Sequence, residues 1–358
     1  MRGNVFVLGI DTSNYKTSAA VVASDGSILA DSRRLLNVKK GERGLRQSEA
    51  LFQHVENLPE VLDAVYAALE GAAANGSKPE IAAVAVSSKP RPVDGSYMPC
   101  FNAGLTVAKS VAGALGVPCF ETSHQEGHIA AIAGSFSDAI GAKDAALPKE
   151  FLSLHLSGGT CELLSVKDRL SEDGAYDIEI VGGSKDISFG HVIDRVGVTL
   201  GMEFPAGSYM DEIAMKEAAV RGSHLRYEPC LTGVRVSDAY FNLSGLETQA
   251  QKQAQIIAQR LLDTKVADDH ADDSAIILEL FDRITTCIEK MTLQGIEKTG
   301  LKTVLFAGGV SSSKYISKRL TDFADDRGYS FIFGDQKLSS DNAVGVARIG
   351  AKRLQANK

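Results

Sequence analysis

A chain of 358 residues, 44% hydrophobic and 23% charged, can bury a sizeable core and is long enough for two or three domain-sized units. Its net charge of −7 excludes broad, nonspecific nucleic-acid binding, which needs a basic surface. No apolar run reaches the ~18 residues that span a bilayer. The scattered cysteines (Cys100, Cys119, Cys161, Cys230 and Cys287) include no Cys-x-x-Cys pair. They argue for reduced thiols and a cytoplasmic protein, not a disulfide framework or a zinc ribbon, and most are expected to pack as small buried hydrophobes.

The opening segment Val5–Ile10 reads as a buried strand, not a leader peptide. Thr17–Ala23 is a second strand, Asp25-Gly26 a hairpin turn, and Ile28–Leu36 a third strand. Between Asp31 and Arg46 six basic residues (Arg33, Arg34, Lys39, Lys40, Arg43, Arg46) stand against two acids. Such a run is a solvated face or a contact for an anion, RNA or a partner. A helix over Ser48–Ala74 follows from the spacing of Leu51, Phe52, Val55, Leu58, Leu62, Val65 and Leu69, with Pro59 expected to kink or divide it. Ile81–Val86 is a strand, Ala103–Leu115 a small-residue helix and Val117–Phe120 a strand. The first third therefore reads βββαβαβ.

The order then returns. Strands are expected at Phe151–Leu156, Cys161–Val166 and Ile178–Val181, and helices at Phe189–Leu200, Ser208–Val220, Thr248–Leu262 and Ser274–Lys298. Val304–Ala307 is a strand, Ser313–Phe323 a helix, Phe331–Phe333 a strand and Asn342–Leu354 a last helix. Ser135–Glu150 reads as a loop or lobe boundary, and Asp268–Asp273 as a solvated acidic loop. Two similar halves of alternating strands and helices predict an α/β fold with a cleft between lobes, where a ligand sits.

Five segments carry the chemistry. Gly9–Thr17 and Leu156–Thr160 each leave a strand through small polar residues, and each reads as a plain turn or as a phosphate cradle. Phe306–Ser311 runs from a strand through Gly308-Gly309 into a helix, which suits a flat base beside an anion. His124-Gln125-Glu126-Gly127-His128 places two imidazoles at i and i+4, on one face if helical. They read either as two ligands of one metal or as solvated or capping histidines. Ser339–Ala343 reads as a helix N-cap, and Asp341 becomes a ligand only if the fold returns it to the histidines.

Taken in order, these segments resemble the Gcp/TsaD family, also called peptidase M22 or the threonylcarbamoyl-adenosine synthases. The likeness runs over Val7–Thr17, His54–Pro59, Lys109–Pro118, His124–His128, Ser157–Gly159, Asp194-Arg195, Pro205–Gly207, Ser244–Leu246, Ala307–Ser311 and Asp341-Asn342. It implies an actin-like, sugar-kinase (ASKHA) fold with duplicated βββαβαβα lobes. The expected division is residues 1–120 plus 341–358 in one lobe and 121–340 in the other. It also implies one divalent metal, iron or zinc, on His124, His128 and Asp341. ATP, ADP or an acyl-adenylate is expected, with Asp11, Ser13, Ser157, Gly158, Gly159 and Thr160 at its phosphates. Asp194 is expected at the ribose, and Gly207, Asp211, Gly308, Gly309 and Ser313 around the nucleoside. The implied partners are tRNA, a TsaB-like subunit and a second copy of the chain, with no membrane.

The departures are as specific. Where the family reads Glu-Thr-Ser-Cys-Asp-Glu-Thr, the Asp-Glu pair is replaced by Tyr15 and Lys16. The histidine of Ser-Gly-Gly-His-Thr is replaced by Thr160, and an asparagine after Ala-Gly-Gly-Val by Ser313. A Gly-Pro-Gly-Leu stretch is replaced by Lys89–Met98, and a Lys-Thr pair by Glu247-Thr248. Three readings follow: a transferase related to tRNA threonylcarbamoyl-adenosine synthesis, a (threonyl)carbamoyl-type transferase with another acceptor, and a non-catalytic nucleotide-binding partner subunit. No nucleophile or general-base constellation supports a peptidase.

Overall fold

The computed structural model describes residues 5–13, 15–38, 45–72, 79–134, 136, 147–170, 172, 174–221, 229–264, 271–334 and 336–356. Strands β1 (Val5–Asp11), β2 (Lys16–Ala23), β3 (Ile28–Leu35), β4 (Glu80–Lys89) and β5 (Cys119–Ser123) form one sheet, in the order β3-β2-β1-β4-β5. β6 (Glu150–Leu156), β7 (Cys161–Arg169), β8 (Ala175–Ser184), β11 (Thr303–Ala307) and β12 (Ser330–Phe333) repeat that order as β12-β11-β6-β7-β8. A short pair that periodicity did not reveal, β9 (Val236–Ser237) and β10 (Tyr240–Phe241), extends the second sheet beyond β8. In each sheet the first strand is central, antiparallel to the second and parallel to the fourth. The two-lobed, duplicated α/β fold expected from the sequence is present.

The alternation of side chains along the central strands sets the layers. Leu8 and Ile10 pack against α1 (Gln47–Gly71) and α2 (Phe101–Leu115), whereas Val7 packs with the last helix, α10 (Val344–Ala356). Leu152, Leu154 and Leu156 face the large core with α4 (Phe189–Thr199), α5 (Gly207–Arg221), α6 (Ser244–Thr264), α7 (Ala271–Thr299) and α8 (Lys314–Asp325). Phe151 packs instead with Ile129, Ala130 and Ile132 of α3 (His124–Ala133). Helices α3 and α10 therefore lie together between the two sheets.

Their contact depends on two glycines. A Cβ on Gly345 would sit 1.8 Å from the Gly127 carbonyl oxygen, so no side chain fits where α10 crosses α3. Gly127 lies between the two histidines of α3, and Gly345 is the second residue of α10, just past Asp341. Close backbone approach at that crossing brings the two sequence-distant segments together.

Two local expectations are corrected. Pro59 does not divide α1, which runs for 25 residues. Proline removes the N–H that would bond the Val55 carbonyl, a loss of one backbone bond on the side of α1 where Val55 is 55% exposed. Asp273, read as part of a solvated acidic loop, is 8% exposed in the first turn of α7. Asp268, Asp269 and most of Ser135–Glu150 lie outside the described residues. No disulfide joins the five cysteines; Cys100, Cys161 and Cys287 are buried, as expected, but Cys230 is exposed.

Candidate metal centre and phosphate turn

Helix α3 begins where its sequence dictates. Ser123 Oγ accepts the Glu126 N–H at 3.2 Å and Glu126 Oε2 accepts the Ser123 N–H at 2.8 Å, a reciprocal capping box. Glu126 is spent on this cap and on Thr122 Oγ1, 2.9 Å away. The helical turn then stacks His124 over His128, with their Nε2 atoms 3.0 Å apart. Asp341 lies in the segment between α9 (Gln336–Ser339) and α10, and its Oδ1 is 3.4 Å from each Nε2. The three donors lie within 4.8 Å of one another.

The donor set fits a metal. Nitrogen and oxygen ligands bound at about 2.0–2.2 Å to one ion lie roughly 3.0–3.5 Å apart, the spacing of these three atoms. The second ring nitrogen of His124 is also provided for. Its Nδ1 lies 3.2 Å from Asp11 Oδ2 and 2.8 Å from Ser13 Oγ. Asp11 is fully buried at the end of β1 and accepts Ser13 Oγ at 2.8 Å and Ser87 Oγ. A carboxylate behind an imidazole fixes its tautomer and leaves Nε2 to the ion. An ion here would act as a Lewis acid toward a bound oxygen.

The charges agree. Burial disfavours a proton on His124, but Asp11 and Asp341 outweigh it and push its pKa up to about 10 without an ion. Burial would raise Asp341, yet its bonds to His124 and His128 hold it well below the carboxylate range. His128 is lowered by burial and then by the charge of His124.

A third imidazole, not singled out from the sequence, completes the group. His155 of β6 is 5% exposed, its ring centred 4.7 Å from that of His128 and 6.3 Å from that of His124. Burial and then its two neighbours push it well below the usual range, so the ring is neutral. Its buried Nδ1 makes no hydrogen bond among the described residues. The available signal was period-two spacing on β6, which puts His155 on the same face as Phe151, toward α3.

The second predicted cluster lies at the β6–β7 turn. Ser157 N–H donates to the Thr160 carbonyl at 2.9 Å and Thr160 N–H to Ser157 Oγ at 3.0 Å. Gly158 and Gly159 are exposed, with open space where a Cβ would stand. Ser188, which caps α4 through the His191 N–H, donates its hydroxyl to the Gly158 carbonyl, so the turn abuts a helix N-terminus. Gly308 has φ of +95°, and a Cβ there would lie 2.3 Å from the Leu156 carbonyl oxygen. Only glycine lets the end of β11 close on this turn. Gly309 follows it into a 3₁₀ turn over Gly309–Ser312.

The remaining predicted residues form two further groups. Asp194 of α4 is half-buried, and its Oδ1 accepts the Ala206 N–H at 2.9 Å, beside Gly207 at the start of α5. Asp211 and Ser313 meet each other. Asp211 accepts Ser313 Oγ at 2.5 Å and the N–H groups of Lys314 and Tyr315 at 2.8 and 3.1 Å, capping α8.

The substituted positions bridge the lobes. Tyr15 stands edge-to-face on Phe204, with ring centres 5.8 Å apart. Arg91 pairs with Glu162 Oε1 at 2.7 Å, and the buried Gln125 donates to Glu162 Oε2 at 2.8 Å. Burial raises Glu162 while Arg91 and Gln125 pull it back. The basic stretch is not one surface: Arg34 pairs with Glu60 on α1, Arg33 turns inward, and Lys39, Lys40 and Arg43 lie outside the described residues.

The family model for TsaD, tRNA N6-adenosine threonylcarbamoyltransferase, matches residues 32–348. The protein of that name from Rhizobium etli is 30% identical over 354 residues, covering 97% of this chain and 88% of the relative. That from Neorickettsia sennetsu is 26% identical over 353 residues, covering 99% and 95%. Among solved structures, full-length HypF in its phosphate- and nucleotide-bound form aligns with a TM-score of 0.55 at 12% identity, covering 98% of this chain and 47% of HypF. Component A of the Acidaminococcus fermentans (R)-2-hydroxyglutaryl-CoA dehydratase aligns at 0.50 and 14% identity, covering 99% and 100%. These structures share the fold. Matched over nearly its whole length, the chain belongs to the tRNA N6-adenosine threonylcarbamoyltransferase (TsaD) family.

Proposed function

We propose that this chain transfers a threonylcarbamoyl group from its adenylate to the N6 of an adenosine in tRNA. The observation that carries this reading is the His124–His128–Asp341 donor set, built onto the TsaD-family fold. The three side chains hold one divalent ion, iron or zinc. Gly158 and Gly159 receive the phosphates on their backbone amides beside the α4 N-terminus, in the turn that Ser157 and Thr160 close on each other. Asp194 takes the ribose hydroxyls as acceptor. Gly207, Gly308 and Gly309 border the nucleoside, with Asp211 and Ser313 supporting it through the α8 cap. Asp11 and Ser13 serve the site by orienting His124, whose Nδ1 they face. This proposal divides the chain into the two lobes expected from the sequence, with α3 and α10 between the sheets.

The direct test supplies purified protein with threonylcarbamoyl-adenylate and unmodified tRNA and measures modified adenosine by mass spectrometry. Modified nucleoside that disappears on chelation supports the reading. Well-folded, metal-loaded protein that yields none, alone and with a TsaB-like subunit, refutes it.

A second reading is favoured by the Lys89–Met98 loop. The Pro90 carbonyl accepts the Gln125 N–H at 3.1 Å and Arg91 reaches Glu162, so this substituted loop is tied to the metal helix. On that reading the same donor chemistry serves another acceptor. Copurified carbamoyl-adenylate, or transfer to a small molecule in place of tRNA, separates the two.

The partner surface we propose is the outer face of α1 and α2. Phe52 and Val55 are 62% and 55% exposed there, beside an apolar groove lined by Leu51, Leu58, Leu62 and Val107. A TsaB-like subunit is the occupant proposed. Mass measurement in solution distinguishes it from a second copy of this chain.

A further inference from the structure

Asp341 is the one donor of the metal set that does not ride on α3, so its position depends on the short segment between α9 and α10. Asn342 holds that segment from one side. Its Nδ2 donates to the Leu338 and Ser340 carbonyls, both at 2.8 Å, and its Oδ1 accepts the Val344 and Gly345 N–H groups at 3.0 and 3.3 Å.

The other side is held by a residue 304 positions away. Arg33, on edge strand β3, donates Nη1 to the Lys337 carbonyl and to Ser340 Oγ at 3.3 Å. Arg33 is itself aimed. Asp31, two residues earlier on the same face of β3, accepts Nε on Oδ1 at 2.9 Å and Nη2 on Oδ2. Both side chains are largely sequestered, 17% and 21% exposed. A two-point carboxylate fork leaves the guanidinium one geometry, and the remaining nitrogen points at the Asp341 segment.

We propose that Arg33, aimed by Asp31, is a positioning residue of the metal centre: it ties the Lys337–Ser340 segment to the edge of the first sheet and so keeps Asp341 on His124 and His128. It acts through that segment and touches neither metal donors nor substrate. Lysine cannot replace it, because one ammonium does not span the Asp31 fork and two acceptors at once. This inference rests on the metal reading above.

The test measures Zn(II) and Co(II) affinity of the full chain by competition with a chelator, alongside the melting temperature of the metal-free protein. Arg33→Lys is expected to weaken binding about tenfold and Arg33→Ala up to about a hundredfold, the range for lost outer-shell partners. Ser340→Ala, which removes one acceptor, is expected to weaken it severalfold, and Arg34→Ala, whose partner is Glu60, not at all. If Arg33→Ala does not fold, Arg33→Lys and Ser340→Ala carry the test. Wild-type affinity in both, with metal bound, overturns the inference alone. So does a fall in metal-free melting temperature that accounts for the whole loss. Wild-type protein that binds neither ion overturns the metal reading and this inference with it.

Discussion

The proposed metal centre and the proposed phosphate turn are built on opposite principles. His124, His128, Asp11 and Ser13 are buried, and every contact that aims His124 is made before an ion arrives. At the turn, Gly158 and Gly159 are exposed, with open space where a Cβ would stand. An ion held by two imidazoles and a carboxylate demands donors at fixed separations, so rigidity there adds affinity. A phosphate approached by backbone amides needs only space and donors, and the chain leaves both open.

That contrast can be broken in order of effect. Gly345→Ala should do most damage, since its Cβ would strike the Gly127 carbonyl and push α10 off α3. Asp341 would leave the histidines, and chelator competition should show metal affinity lower by more than about a hundredfold; unchanged affinity would mean the crossing does not place Asp341. Asp11→Asn keeps the shape and removes the charge behind His124, for an expected loss of about ten- to a hundredfold in the same measurement.

Protons give the third effect. With His124 pushed up to about 10 in the ion-free protein, a metal must displace its proton. Apparent affinity should rise by up to about tenfold per pH unit from pH 6 to 8. A flat titration would mean that His124 is neutral. In the metal-free protein the sign reverses. The raised His124 pKa adds stability that is complete below the ordinary histidine value of 6.5 and is lost as pH climbs through about 10. Smallest is Gly158→Ala at the turn. Its open surroundings predict a stability change within about 0.5 kcal/mol and a severalfold loss of nucleotide affinity by calorimetry, with metal affinity unchanged. A large drop in melting temperature would show the turn to be as constrained as the metal centre.

The Tyr15–Phe204 contact and the Arg91–Glu162–Gln125 group belong to neither principle. Tyr15 and Arg91 stand at positions where this chain departs from its family's sequence. They add contacts to Phe204 and Glu162 beside the His124–His128–Asp341 donor set. His155 supplies an imidazole against the pair although Thr160 stands where the family's own histidine would be.

The sequence by itself determined most strands and helices, though not β9 and β10, because apolar periodicity and turn chemistry act within a few residues. It also implied that His124 and His128 share one face if their segment is helical, since i and i+4 is a local relation. Asp273 misled because exposure is a tertiary property: read as part of a solvated loop, it lies in the first turn of α7 and is 8% exposed. What only the tertiary structure decided is which distant residues meet. Asp341 reaches the histidines because Gly127 and Gly345 allow two backbones to touch. His155 reaches them because β6 packs its odd face on α3, and Arg33 turns inward because β3 ends beside the Asp341 segment. No spacing along the chain encodes these contacts; they arise where separate layers close on one another.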